Sequence, residues 1–344
     1  MSKAGKIIAV DPPYAIPGGE MAVECEGFEA GPTSETGCFV GGQRCRLVAA
    51  SSTRILAIVP DEIDSTHTHV HLESDGAQSD PFEIIVGKKL AGDMHIVANP
   101  AVDPKDDSII LTRSGGRGQQ LPFTLYRLEP DGFVDEMPAE ILNPTGIAFD
   151  ASGEMFVTNR AEGEVCRINR GEEVVTYATG LGIATGIAFD KDGVMFVGDR
   201  SGTIFQVPEF GRVETFAVLE PSVAAYHLAF GPDGRLFVTA PGLASHDAVH
   251  AVDLEGYDEV FCRGFGRPQG LAFDREGNLY VAACYKGRHG IAKIVADGSD
   301  LTIESFVAGM NVVGLCFTRK GDMVVATNDS VYSLPLGITG TLLT

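Results

Sequence analysis

One stretch constrains this chain more than any other, because it returns. TGIAFDASGEMFVTNR, beginning at Thr145, reappears as TGIAFDKDGVMFVGDR from Thr185, YHLAFGPDGRLFVTAPG from Tyr226, QGLAFDREGNLYVAACY from Gln269 and VGLCFTRKGDMVVATND from Val313. Aligned on Phe149, Phe189, Phe230, Phe273 and Phe317, the copies are spaced by 40, 41, 43 and 44 residues. A period of that length belongs to a solenoid, an array or a propeller. Within the unit from Asn143 to Leu181, Gly146–Phe149, Met155–Thr158, Val165–Asn169 and Val174–Ala178 read as short strands joined by polar, glycine-bearing turns. A four-stranded meander cannot bury both of its faces alone. Small residues open each first strand (Gly146, Gly186, Gly270 and Gly314, with Ala148, Ala188, Ala229 and Ala272 two places on), as an inner strand crowded around an axis needs, and the aromatic that follows fills the wedge to the next sheet. Val, Phe and Gly-rich runs without a 3.6-residue period argue against helical solenoids. The expectation is an all-β chain with a six-bladed β-propeller of four-stranded antiparallel blades.

The six units fall near 94–142, 143–181, 182–222, 223–265, 266–309 and 310–344. The first is the most degenerate, with HIVANPAVD in place of the inner strand and Ser108–Arg113 as its second, as terminal repeats often are. The last is short; Ile338–Leu343 would supply its outer strand, and a contribution from the linker stays open. Residues 1–87 lack the pattern and residues 88–93, GKKLAGD with its leading Gly87, form a polar linker, leaving 94–344 to the propeller. Ile7–Val10, Met21–Cys25, Cys38–Val40, Cys45–Ala49, Ile55–Val59, Thr68–Leu72 and Phe82–Val86 read as seven short strands, a count that suits a small immunoglobulin-like β-sandwich.

Charge narrows the functions. The net charge of −21 divides into −7 for residues 1–88 and −14 for the rest, a surface that repels nucleic acid. No apolar run approaches the 18 residues of a membrane span, so neither nucleic acid nor a membrane is an expected partner. MSKAGKIIAVDPP has no apolar core of a secretory signal before Asp11, which favours the cytoplasm. Seven cysteines without close pairs suggest reduced thiols, not a disulfide framework or a zinc site. Cys25, Cys38 and Cys45 point inward by alternation; Cys284, beside Tyr285 and Lys286, reads as a scaffold cysteine near a basic rim. His67, His69 and His71 share one strand face, where imidazoles can bind zinc, but no carboxylate is pinned beside them in sequence, so a solvated stripe is the expectation.

The wording VDPPYAIPGGEMAVECEGF, CFVGGQRCRLVAASSTRILAIVP and HVHLESDGAQSDPFEIIV resembles the IPT/TIG family of immunoglobulin-like modules, which implies a non-catalytic spacer or adaptor. NPTGIAFDASGEMFVTN and RPQGLAFDREGNLYVAA resemble NHL repeats, which are mostly binding scaffolds. The six-unit count also resembles the senescence-marker-protein/gluconolactonase family, implying a divalent metal, such as calcium, at one mouth of the channel and hydrolysis of lactones or related esters. That family's ligands lead the inner strands. The matching positions here are Ala98, Thr145, Thr185, Tyr226, Gln269 and Val313, none a carboxylate, with Asn99, Asn143 and Asp199 as candidates for a displaced site.

A second constellation lies in the loops after each second strand: Arg113, Arg117, Arg160, Arg200, His246, Lys286, Arg288 and His289. With Tyr226, His227, Gln269 and Tyr285 they would form a mouth for a small anionic or sugar-like ligand or a protein partner, because guanidinium forks suit carboxylate and phosphate. The alternative is that rim loops are charged in any protein and that Glu162, Asp199 and Asp247 neutralise these bases. RSGGRGQ, Arg113–Gln119, lacks the ending of a phosphate loop and reads as a flexible rim loop. The sequence therefore favours a non-catalytic binding protein, with a metal-dependent lactonase or esterase as the alternative.

Overall fold

The repeat's Asp and Gly form its turn. In a computed structural model describing residues 4–29, 36–63, 65–115, 119–169, 173–243, 246–298 and 300–341, Asp150 Oδ1 accepts the amides of Ser152 (2.9 Å) and Glu154 (2.8 Å). Gly153 supplies the left-handed residue at φ 75°. Asp190, Asp253 and Asp274 make the same pair of bonds two and four residues on. Three of these four turns join a first strand to a second, and the one at Asp253 joins a third to a fourth.

Each meander forms one blade. Blade one comprises Ala101–Val102, Ile109–Thr112, Leu125–Leu128 and Val134–Met137; blade two Pro144–Phe149, Met155–Asn159, Glu164–Ile168 and Val174–Ala178. Blade three comprises Ala184–Phe189, Met195–Asp199, Thr203–Glu209 and Arg212–Val218; blade four His227–Phe230, Leu236–Thr239, Asp247–Val252 and Asp258–Gly266. Blade five comprises Leu271–Phe273, Leu279–Tyr285, Arg288–Asp297 and Asp300–Ala308. Val312–Phe317, Asp322–Thr327 and Val331–Pro335 begin blade six.

The wedges between blades are filled by aromatic groups of three. Phe196 of blade three meets Phe216 of its own outer strand and Phe230 of the next inner strand edge to face, at centroid distances of 4.9 and 5.1 Å. Phe156 with Tyr177 and Phe189, Phe237 with Phe261 and Phe273, and Tyr280 with Phe306 and Phe317 repeat the arrangement. The two junctions of blade one lack it: Ile110 and Val324 occupy the equivalent second-strand places, and mainly aliphatic clusters, with Tyr126 in one and Phe149 against the other, fill those wedges.

The ring closes differently from expectation. The outer strand of blade six is Lys88–Ala91, taken above as linker, paired antiparallel with Val331–Ser333. Ile338 and Gly340 instead cap the turns of neighbouring blades: Ile338 N donates to Gly321 O (3.0 Å), and Gly340 bridges Asp274; residues 342 and 343 lie outside the described residues. The chain before the first blade is already in place beside the last, and its apolar Leu90 and Ala91 join the cluster of blades one and six.

Residues 6–86 form two packed sheets. Lys6–Asp11, Glu20–Glu26, Arg54–Ile58 and Arg46–Ala50 make one; Phe82–Val86, His67–Ser74, Gly37–Val40 and Gln43–Arg44 make the other, with Ala77–Gln78 on its edge. Their shared core includes Cys25, Cys38 and Cys45, all inward as expected. Tyr14–Ala15 runs parallel to Ile85–Val86 on one side and to Val307–Ala308 of blade five on the other, so sandwich and blade share a continuous sheet. Ile16, fully buried, packs into the propeller core with Leu334 and Val312.

Replacing Phe196 by alanine removes the hub of one wedge and should cost about 3–5 kcal/mol in denaturant unfolding. Phe133→Ala, at a 63 % exposed site, should stay within about 0.5 kcal/mol of the parent.

Candidate binding face

Two faces result from the meander. The Asp-Gly turns between first and second strands open below; the loops from second to third strand and the blade-to-blade connections open above. The upper connections lead to the axis, where a ring of six equivalent positions holds Asn99, Gly146, Gly186, His227, Gly270 and Gly314. Glycine is required by proximity: a Cβ on Gly314 would lie 2.6 Å from Asn99 Cα, and one on Gly270 1.9 Å from Asn99 Oδ1. The Asn99 amide occupies the space that blade five leaves. Its Nδ2 donates to Leu271 O (2.9 Å) and its Oδ1 accepts from Leu315 N (3.1 Å), stitching blade one to blades five and six.

His227 enters the ring from blade four, opposite Asn99. It is 3 % exposed, and its Nε2 has no hydrogen-bond partner among the described residues. Burial pulls its pKa down to about 4, so the imidazole is neutral at pH 7. The position expected to line an open mouth is therefore inside the packed axis.

The leading positions are equally committed. Thr185 Oγ1 donates to Gly198 O (3.2 Å) and accepts from Tyr226 N (2.9 Å). Tyr226, expected at the mouth, is fully buried; its hydroxyl donates to Glu220 O, and burial with Asp199 and Glu220 nearby pushes its pKa up to about 12. Gln269 Nε2 donates to Val312 O (3.4 Å). Thr145 Oγ1 is buried without a partner among the described residues. Asp199 accepts Ile183 N (2.8 Å), Ser201 N (3.1 Å) and the Ser201 hydroxyl, and Asn143, at φ 53°, offers its carbonyl to Arg160 N (3.4 Å). A hard divalent cation requires several free oxygens, some anionic. Asn99, Asn143 and Asp199 do not provide that set, and no described group of three or more His, Cys, Asp or Glu could hold a metal.

The rim bases divide into two groups. Arg288 turns away from the mouth and binds the sandwich: it contacts the Asp11 carboxylate and donates to Asp11 O (3.1 Å). With Tyr285, His289, Pro12 and Glu20 it lines a small cleft between sandwich and blade five. Lys286 lies over Tyr285, 5.0 Å from the ring centroid, and Cys284 is half-buried. On the far side, Arg113 donates to Tyr126 Oη (3.3 Å), and Arg200 clamps the next connection through Ser222 O (3.2 Å) and Val223 O (2.9 Å). Arg160 stands beside them, half-buried, with no side-chain hydrogen bond and no ion pair among the described residues. Burial first, and then Arg200, lower its pKa from the usual guanidinium value. Arg117 lies outside the described residues, and His246 is exposed. By contrast Arg127, Arg212, Arg235 and Arg319 are all paired with carboxylates.

Single apolar residues in these connections went unread in the sequence. Leu142, Ile183, Val223 and Met310 are exposed two or three positions before the leading residue of blades two, three, four and six, and Leu243 follows the second strand of blade four. The signal was their recurrence at one repeat position. Arg200 N donates to Ile183 O (3.1 Å) and Val223 N to Pro241 O (2.9 Å), so Leu142, Arg160, Ile183, Arg200 and Val223 form one arc. On the sandwich, His71 contradicts the unpinned stripe: its Nε2 is 3.1 Å from Glu73 Oε1 and its ring stacks on Phe39.

Comparison with protein-family models gave no match, and neither did comparison with curated proteins. Solved structures do match. A gluconolactonase-like protein superposes with a TM-score of 0.60 at 17% identity, over 74% of this chain and 93% of its own. An auxiliary nutrient binding protein from Bacteroides ovatus matches with a TM-score of 0.54 at 12% identity, over 96% and 97%. A catalytically inactive virginiamycin B lyase from Staphylococcus aureus, solved with quinupristin, gives 0.54 at 15%, over 92% and 99%. At these identities they show the fold, an all-β chain with propeller blades.

The unfolded chain protonates His227 near pH 6.5, the folded protein only near 4, so stability falls as pH drops through that window. The expected loss is about 2 kcal/mol between pH 7 and pH 5. His227→Gly, which restores the residue of four other blades, should lose that part of the pH dependence in denaturant titrations at the two pH values.

Proposed function

We propose that this is a non-catalytic binding protein whose upper face receives an anionic ligand with an apolar part. The carrying observation is Arg160: a half-buried guanidinium beside Arg200 with no carboxylate partner among the described residues, in a protein whose net charge is −21. A buried, unpaired charge is costly, and a carboxylate or phosphate accepted by its fork would offset that cost. Exposed Leu142, Ile183 and Val223 on either side supply apolar contact at the same level. The auxiliary nutrient binding proteins among the similar structures agree with a binding role. The sandwich, whose sequence resembles IPT/TIG modules, serves in this reading as a fixed buttress and adaptor, joined to blade five by the Tyr14–Ala15 strand.

A lactonase or esterase would need a cation site, and the donors around the axis do not form one. A thermal-shift panel of small mono- and dicarboxylates, sugar phosphates and inorganic phosphate, with calcium, magnesium, zinc and manganese in parallel, tests both ideas. The binding reading expects at least one anion to raise the melting temperature. Titrated by calorimetry, that anion should bind at least tenfold more weakly to Arg160→Ala, about 1.4 kcal/mol, and Arg160→Lys should recover only part because it lacks the fork. A cation-only response, or unchanged affinity in Arg160→Ala, would sink the assignment.

A further inference from the structure

The sandwich carries a pair of thiols placed for each other. Gly37–Val40 and Gln43–Arg44 form a hairpin whose two-residue turn, Gly41 and Gly42, sits at φ 56° and 78°. Its register is Val40 opposite Gln43 and Phe39 opposite Arg44. The next residues outward are Cys38 and Cys45, and Cys45 N donates to Cys38 O at 2.8 Å, a single backbone bond just past the last registered pair of the hairpin. Facing residues joined in this way have Cα atoms about 5.5 Å apart, within the reach of a disulfide. Both side chains point into the shared core of the sandwich, 0% and 4% exposed, where Cys45 lies near enough to Cys38 to perturb its thiol.

Cys45 also stands where the chain changes sheets. Gln43–Arg44 belong to the sheet that contains Phe82–Val86, whereas Arg46–Ala50 belong to the sheet that contains Glu20–Glu26. A bond from Cys45 to Cys38 would fix that crossing.

We propose that Cys38 and Cys45 form a redox site, closing to a disulfide when the chain folds in the presence of a low-molecular-weight disulfide and remaining a dithiol under reducing conditions. Each thiol gives up its hydrogen and one sulfur–sulfur bond forms; the two electrons and two protons reduce one disulfide molecule to two thiols. In the folded sandwich the contact between the thiols, and then burial, hold Cys38 protonated and slow to react. The bond therefore forms before the core closes, or when the Gly41–Gly42 hairpin opens. Cys25 shares the core and is the competing partner.

The test refolds the full chain from denaturant in oxidised and reduced glutathione and, in parallel, in dithiothreitol. The expected oxidised product has an intact mass lower by two hydrogens, five titratable thiols in denaturant instead of seven, and a non-reduced peptide linking Cys38 to Cys45. Cys25→Ala should give the same link, and Cys38→Ala should abolish it. Seven free thiols after oxidative refolding, or a link to Cys25 in place of Cys45, overturns the proposal. Oxidation of prefolded protein, read by the same mass shift, gives a second measurement if the Cys38→Ala chain does not fold.

Discussion

The edge-to-face aromatic contact between blades is the constraint from which the rest follows. An inner strand can approach the axis closely only if its side chains there are small, and the sheets then diverge outward and leave a wedge. One aromatic from the second strand, one from the outer strand and one from the next inner strand fill it, with centroids 4.9–5.3 Å apart at four successive junctions. Each ring buries a large apolar area and adds a directional preference, so the angle between blades is fixed by the same atoms that stabilise them. The ring size follows from that angle. Blade one breaks the rule on both sides with aliphatic contacts, and there other devices appear: the Asn99 amide reaching across the axis and a strand borrowed from the preceding chain.

The parts of this arrangement that recur were legible in the sequence, and the parts that occur once were not. Phe149, Phe189, Phe230, Phe273 and Phe317, the glycines leading each unit and the Asp-Gly turns are statements made several times over, and the fold follows from them. The site was read from residue type and loop position, which fix the face but not the direction of a side chain. Arg160 and Arg200 do meet on the upper face. Tyr226 instead turns inward because its ring completes the core between blades three and four, where Leu228 and Phe196 also lie. Arg288 turns outward because Asp11, far away in sequence, lies beside it. Neither fact has a local signature. The outer strand of blade six escaped notice because Lys88–Ala91 is short and half polar, and only its partner Val331–Ser333 makes it a strand.

The charge of the protein is also distributed by the fold. Asp150, Asp190, Asp253 and Asp274 accept the amides of their lower turns, although the first turn of blade four has Gly231 at that place, so carboxylates collect below for structural reasons. In the upper connections that role falls to Asp199 in one loop and to the uncharged Asn159 and Ser222 in others, and Arg113, Arg160 and Arg200 stand there without ion-pair partners among the described residues. The upper face thus differs electrostatically from the lower one without a dedicated basic domain.

The strands at Tyr14–Ala15 and Lys88–Ala91 have a consequence for synthesis. Both precede their partners, Val307–Ala308 and Val331–Ser333, by several blades of sequence. Blades two to four take their strands from consecutive sequence, whereas the early strands wait with apolar side chains such as Ile16 uncovered until blades five and six have been made. Closure of the ring and docking of the sandwich on blade five therefore follow the making of blades five and six, when both early strands gain their partners.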